Sequence, residues 1–276
     1  MTVALKLAVL DGLIMGADSR TTVLRGDGRM QVFDGVRKLF ILHKDYPAAL
    51  MSWGVNRIGS VGLEDLMADV RDRLEGRSTE HPEWKLDVRE TTLADVAKRV
   101  TEFLFHDHFQ SADTPPTQQQ HLHLHFAGYS PGSRQAEHVE YRLDPEHIHG
   151  PESGKSQGVQ VNYTGVYLAR ILSGMDTRFA GKLEDAGLDK RKLSELTSGL
   201  SSAVLGELLA PQMPLSEAAA LVRCLINSEI VLSQLGPEPD SVGGDIQMIA
   251  IDRDGCREMR FMSHDFRVPP SLWKRR

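Results

Sequence analysis

Cysteine, aromatic residues and long apolar runs are all scarce in this 276-residue chain. Its two cysteines, Cys224 and Cys256, lie far apart without CxxC spacing, which argues against a disulfide framework and suits a reducing compartment. No apolar run approaches the roughly 20 residues that a membrane-spanning helix needs. The first residues also lack a signal-peptide pattern. We therefore expect a cytoplasmic protein that does not enter a membrane.

An excess of positive charge is absent as well. The formal net charge is −6, which argues against a general nucleic-acid binder, because such proteins usually carry a basic surface. Hydrophobic residues make up 41% of the chain and charged residues 25%, as in ordinary globular proteins, so we expect a large core and little disorder. Since no internal repeat or convincing boundary is found, we expect one domain over residues 1–276.

Hydrophobic periodicity predicts strands at both ends of the chain, with helices and further strands between them. Residues 3–10 alternate, Asp11-Gly12 is typical of a hairpin turn, and a second strand begins at Leu13. Residues 145–158 are predicted to be a loop. Regular βαβ alternation is missing, which favours an α+β layered sandwich over a doubly wound parallel sheet. The other predicted strands are 38–42, 48–53, 121–129, 138–143, 159–163, 244–252 and 256–262, and the predicted helices are 61–74, 92–109, 167–172, 176–209 with a break near Gly187, and 216–232.

The segment Met1-Thr2-Val3 is the first candidate for chemistry. Because Thr2 has a small side chain, we expect removal of Met1, with no longer propeptide. Thr2 would then carry a hydroxyl nucleophile and a free α-amine, whose intrinsic pKa of about 7.7–8.0 leaves part of it neutral at physiological pH. Such an amine can accept the hydroxyl proton. Many proteins begin with Met-Thr, so a catalytic role for Thr2 depends on the residues that follow it.

Residues 2–20 contain five features in fixed register: Thr2, a short strand, Asp11-Gly12, an apolar strand, and Ala17-Asp18-Ser19-Arg20. This pattern resembles the start of mature proteasome β-subunits, of the bacterial HslV peptidase and of the bacterial proteasome-like protein Anbu. The resemblance is strong over 2–60, moderate over 215–262 and weak between them. Because the chain is longer than HslV and has more helix between about 176 and 215, it is identified as a divergent bacterial branch of these proteasome homologues.

Two charged residues take their roles from this resemblance. Asp18 matches the acidic residue beneath the nucleophile, and Lys38 matches the buried lysine of the family. As an ammonium, Lys38 would lower the pKa of the Thr2 hydroxyl, while Asp18 would hold Lys38 and offset its buried charge. The alternatives are a turn residue for Asp18 and an exposed strand lysine for Lys38.

The remaining candidate catalytic residues lie in three later segments. Gly54 matches the glycine whose N–H stabilises the oxyanion, or it is a turn glycine at the end of a strand. Thr164 replaces the serine that helps to orient the terminal amine. Asp240 and Ser241 fall where the family has an acidic and serine pair, with loop capping as the alternative.

A histidine-rich strand raises the question of a metal site. His121, His123 and His125 share one strand face, and two of them could chelate a metal with a third ligand elsewhere. No cysteine or carboxylate is placed with them in the sequence. The polar face of a sheet or a subunit contact is therefore the expected role, and no metal is expected.

The resemblance implies a four-layer αββα sandwich of the N-terminal-nucleophile (Ntn) hydrolase type. It further implies a self-compartmentalising threonine endopeptidase that cleaves unfolded polypeptides or peptides inside homo-oligomeric stacked rings, with no cofactor. A ring-shaped ATPase partner follows by analogy alone. Two alternatives stay open: an Ntn amidohydrolase that acts on a small amide, and a non-catalytic ring-forming subunit.

Overall fold

Two five-stranded antiparallel sheets form the centre of the protein in the computed structural model, which describes residues 2–24, 29–111, 121–156, 160–236 and 241–261. The expectation of a mixed α and β protein without a doubly wound parallel sheet is confirmed in these ranges, since every strand pair there is antiparallel.

The first sheet joins the two ends of the chain. Its central hairpin pairs Val9 with Gly12 across the predicted Asp11-Gly12 turn. Its strands, in spatial order, are β12 (Gln160–Thr164), β1 (Ala4–Val9), β2 (Gly12–Asp18), β13 (Ile246–Asp252) and β14 (Gly255–Phe261).

The second sheet is built from the middle of the chain. Its strands, in spatial order, are β11 (Ile148–Lys155), β10 (Glu137–Leu143), β9 (Leu122–Gly128), β6 (Tyr46–Gly54) and β5 (Leu39–His43). Two short hairpins lie outside the sheets: β3 (Thr21–Leu24) with β4 (Met30–Phe33), and β7 (Arg57–Ile58) with β8 (Val61–Gly62).

Six α-helices lie within the described ranges, close to the predicted positions. Helix α2 begins at a capping box in which Thr92 and Asp95 each accept the other's backbone N–H at 3.2 Å, and after Glu102 the chain continues in a wider π-type turn over Phe103–Phe109. The described helices include none that is both long and apolar enough to cross a bilayer. The helices are α1 (Leu63–Leu74), α2 (Leu93–Glu102), α3 (Val166–Ser173), α4 (Thr177–Asp185), α5 (Lys190–Leu208) and α6 (Leu215–Leu235).

The central strands of each sheet are buried on both faces. One apolar cluster packs the second sheet against α1 and α2, another packs the first sheet against α3 and α6, and a third lies between the two sheets. Strand alternation assigns the faces: Leu5 and Leu7 of β1 belong to the helix-facing cluster, whereas Ala4 and Ala8 lie between the sheets. Strand β1 is therefore buried along its whole length.

The prediction of a loop over 145–158 is wrong, because residues 148–155 form the edge strand β11, which pairs with β10. Most side chains of β11 are polar and exposed, so its sequence lacks the alternation of apolar and polar residues that predicts a strand. Main-chain hydrogen bonds to β10 stabilise it instead. The β3–β4 hairpin was also not expected.

Candidate active site

Thr2, Asp18 and Lys38 meet at one end of the two sheets. Thr2 precedes β1, Asp18 ends β2, and Lys38 precedes β5 of the other sheet. The Lys38 Nζ donates hydrogen bonds to Thr2 Oγ1 at 3.3 Å and to Asp18 Oδ1 at 2.6 Å. A hydroxyl beside an amine that can exchange protons with it is an arrangement suited to nucleophilic catalysis.

Lys38 has an acceptor for each ammonium proton. Besides Thr2 and Asp18, its Nζ donates to the Arg20 carbonyl oxygen at 2.7 Å. Burial lowers the pKa of Lys38 below its ordinary value, although the Asp18 carboxylate opposes this. A neutral Lys38 would keep two N–H bonds, to Asp18 and to the Arg20 carbonyl, and would direct its lone pair at Thr2 Oγ1.

Asp18 anchors the segment that carries the nucleophile. Its side chain is fully buried and accepts the backbone N–H of Val3 at 3.1 Å and that of Gly243 at 3.0 Å. Burial raises the pKa of Asp18, and Lys38 and these two N–H groups oppose the rise. Because Asp18 also donates its own N–H to the Val3 carbonyl at 3.2 Å, the main chain next to Thr2 is held at two points.

Gln247, a residue that no sequence motif indicated, supports Lys38 from β13. Its Oε1 accepts the Lys38 N–H at 3.0 Å, and its Nε2 donates to the Val36 carbonyl at 2.8 Å. Ser52 adds an N–H bond to the Lys38 carbonyl at 2.8 Å. The only available signal for Gln247 was a single amide within an otherwise apolar strand.

Gly54 ends β6, two residues beyond Ser52, at the same end of the sheets. Its φ is +102°, and a Cβ added there would lie 2.0 Å from the His121 carbonyl oxygen. The close approach of β9 therefore requires glycine for structural reasons. Its role as an oxyanion donor stays a prediction.

The other predicted site residues are distributed as follows. Thr164 pairs in register with Ala4, two residues from Thr2. Ser241 is partly buried, two residues before the Gly243 N–H that contacts Asp18. Asp240 lies outside the described residues, and the roles of the Thr164 and Ser241 hydroxyls stay predictions.

Glu229, a residue that the sequence did not indicate, fixes the turn after Thr164. It is fully buried on α6 and accepts the N–H groups of Val166 at 3.0 Å and Leu168 at 2.6 Å, at the start of α3. Burial raises the pKa of its carboxyl group. An acidic residue inside an apolar helical segment was the only sequence signal for this cap.

The three histidines of the β9 region have different surroundings. The His123 ring stacks on Trp53 with 5.1 Å between centroids, whereas His125 is buried and its Nδ1 lies 2.8 Å from Glu140 Oε1. Within the described ranges, no group of three or more histidine, cysteine or acidic side chains is arranged to hold a metal ion.

Compared with protein-family models and with curated protein sequences, the chain matches none of them. Its activity therefore has to be inferred from the geometry around Thr2.

Proposed function

We propose that this protein is a threonine peptidase of the proteasome-like Ntn class, with Thr2 as its nucleophile. One observation carries the proposal: Lys38 Nζ lies 3.3 Å from Thr2 Oγ1 while Asp18 Oδ1 holds it at 2.6 Å. The activity also requires that Thr2 be the first residue of the mature chain, so that its α-amine is free.

The reaction begins with attack of Thr2 Oγ1 on the carbonyl carbon of the substrate amide. The hydroxyl proton passes to neutral Lys38 or to the α-amine of Thr2, and the Gly54 N–H stabilises the oxyanion. Cleavage of the C–N bond releases the amine, which takes up a proton, and leaves an ester on Oγ1. Water then attacks the ester, releases the acid and restores the hydroxyl.

The packing of the elements supports a four-layer αββα sandwich. Apolar clusters lie between α1–α2 and the second sheet, between the two sheets, and between the first sheet and α3–α6. Both sheets supply parts of the proposed site at the same end, as the Asp18–Lys38 contact illustrates.

The proposal includes assembly into homo-oligomeric stacked rings that enclose the sites and admit unfolded polypeptides or peptides. Exposed leucines on α5, namely Leu196, Leu200 and Leu208, are side chains that a neighbouring subunit would cover. A ring-shaped ATPase that feeds the chamber remains part of the proposal by analogy. Particle mass from light scattering tests the assembly directly, and a monomer would contradict it.

The nucleophile is tested with two electrophiles and intact mass spectrometry. A β-lactone acylates the Thr2 hydroxyl, whereas a peptide epoxyketone closes a ring with the hydroxyl and the free α-amine together. We expect one adduct from each reagent on protein that lacks Met1, and none on Thr2→Ala. Thr2→Ser should retain labelling, because it keeps both groups.

Each pattern of labelling has a definite meaning. A β-lactone adduct without an epoxyketone adduct would mean that the hydroxyl is reactive but the amine is blocked. No adduct from either reagent, on protein shown to begin at Thr2, would rule out the proposed nucleophile.

A further inference from the structure

Strand β1, which begins two residues after Thr2, lies between β2 and β12 in the first sheet. On the β2 side, Asp18 and Lys38 hold the segment that carries Thr2. On the β12 side, Thr164 pairs with Ala4 and is the last residue of its strand. The amino terminus of the mature chain therefore has a second neighbour, whose position depends on how β12 ends.

The buried carboxylate of Glu229, on α6, determines how β12 ends. Directly after Thr164 the chain turns at Gly165, whose φ is +149°, and enters α3. Gly165 offers no side chain to cap this helix. Glu229 accepts the N–H groups of Val166 and Leu168 instead, at 3.0 and 2.6 Å. A side chain from another helix therefore fixes the turn that follows Thr164.

The space at Gly165 is matched to this carboxylate. A Cβ added there would lie 3.0 Å from Glu229 Cδ and 3.0 Å from its Oε2. At a φ of +149° a side chain would also strain the backbone. The main chain and the carboxylate are thus in close contact at the residue after Thr164, and a change on either side displaces the turn.

Two further observations connect the turn with the nucleophile. Val3, directly after Thr2, belongs to the same apolar cluster as Leu168 of α3. The charge of Asp18 also acts on Glu229: burial raises the pKa of the Glu229 carboxyl, its N–H partners oppose the rise, and Asp18 adds to it. The capped turn and the Thr2 segment are therefore joined by packing and by electrostatics.

We propose that Glu229 is a positioning residue of the Thr2 site: it acts through the Gly165 turn on Thr164, and through Thr164 on the terminal amine of mature Thr2. This role rests on the proposed function, in which that amine is free and takes part in the reaction. Glu229 transfers no proton in this role, because its carboxylate only holds main-chain N–H groups.

Two electrophiles separate the positioning of the amine from general damage to the fold. Both reagents need the Thr2 hydroxyl, but only the epoxyketone also needs the amine. In Glu229→Gln the side-chain amide turns a donor towards the N–H groups, so one hydrogen bond is lost. We expect the ratio of the epoxyketone to the β-lactone labelling rate to fall about tenfold, the worth of one hydrogen bond to a charged group. Glu217→Gln, which changes an exposed glutamate on the same helix, should leave the ratio unchanged.

Gly165→Ala supplies a second variant in case Glu229→Gln does not fold, because it displaces the turn from the other side of the contact. The ratio should fall here as well. Gly174→Ala, at the other end of α3 with no atom closer than 3.8 Å to an added Cβ, should leave it unchanged. Thr164→Val removes the hydroxyl through which Glu229 acts, so in that background Glu229→Gln should not change the ratio further.

Hydrogen exchange tests the same connection without any labelling chemistry. In Glu229→Gln the amides of β1 should exchange faster, together with those of α3, whereas Glu217→Gln should exchange like the wild type. Faster exchange confined to α3 would overturn the proposal, since the turn would then move without affecting the segment after Thr2.

Failure of the proposed function has a different signature from failure of this inference. No adduct from either reagent on wild-type protein that begins at Thr2 would reject the nucleophile, and the positioning role with it. Adducts on the wild type, with the same ratio of rates in folded Glu229→Gln, would reject the positioning role alone.

Discussion

Lys38 and Asp18 form a buried ion pair, with 2.6 Å between Nζ and Oδ1, that connects the start of β5 in one sheet to the end of β2 in the other. The pair therefore has two tasks. Its Asp18 holds the main chain at Val3, directly after Thr2, and the pair balances a charge that neither sheet could bury alone.

Asp18→Asn should destabilise the protein as well as inactivate it. The substitution leaves the Lys38 ammonium buried without a counter-charge, and we expect the free energy of unfolding to fall by about 3–5 kcal/mol in urea titrations. The double variant Asp18→Asn/Lys38→Met removes both charges and should regain much of this stability, but it should form no β-lactone adduct. A loss below about 1 kcal/mol in the single variant would show that the pair is not the main tie between the sheets.

Lys38→Arg separates two roles of the lysine. Arginine keeps the positive charge but does not give up its proton, so we expect the rate of β-lactone labelling to fall at least ~100-fold. In the wild type, burial holds the pKa of Lys38 below its ordinary value, so the neutral form grows and labelling should accelerate as the pH rises through that pKa. An arginine variant that folds normally and labels at the wild-type rate would assign the base to the Thr2 α-amine and leave Lys38 as a fixed charge.

Gly54→Ala should be costly even before any chemistry is considered. The φ of +102° disfavours a side chain, and the new Cβ would lie 2.0 Å from the His121 carbonyl oxygen. Gly132→Ala is the matched control, since its φ is +73° and no atom lies within 4 Å of an added Cβ. We expect Gly132→Ala to lower the free energy of unfolding by about 1–2 kcal/mol. Gly54→Ala should lower it by a further ~1–3 kcal/mol, because of the steric clash. Similar losses in the two variants would mean that β9 moves away at no cost.

Lys6→Met should stabilise the protein at neutral pH, because it replaces a buried, unpartnered ammonium by an apolar chain of similar length. The advantage should shrink as the pH rises. Between about pH 8 and 10.5 the unfolded wild type still binds a proton at Lys6 that the folded protein has released, so the wild type gains roughly 3 kcal/mol relative to the variant. Urea titrations at pH 7, 9 and 10.5 measure this difference. Lys44→Met, which changes an exposed lysine, should change the stability by less than about 0.5 kcal/mol at each pH.

Features set by near neighbours in the chain could be predicted well. The hairpin of β1 and β2 and the helix break at Gly187, whose φ is +91°, both follow from residues a few positions apart. The edge strand β11 could not be predicted, because its polar side chains carry no alternation and its partner strand supplies the hydrogen bonds.

The candidate site likewise combines residues that the sequence indicates with residues that only the fold brings to it. The register of Thr2, Asp18 and Lys38 was available from the sequence through the family resemblance, but Gln247 and Gly243 were not, since they lie 209 and 225 positions from the residues that they contact.

The sequence by itself determined the local elements, because alternation, caps and turns depend on side chains within a few positions. Only the tertiary structure decided where the other buried ionisable groups lie: Glu229 at the start of α3, and Lys6 within reach of the charges of Glu140 and His138. Burying a charge costs least where distant strands bring it a partner or an acceptor, and those distances are set when the two sheets pack face to face.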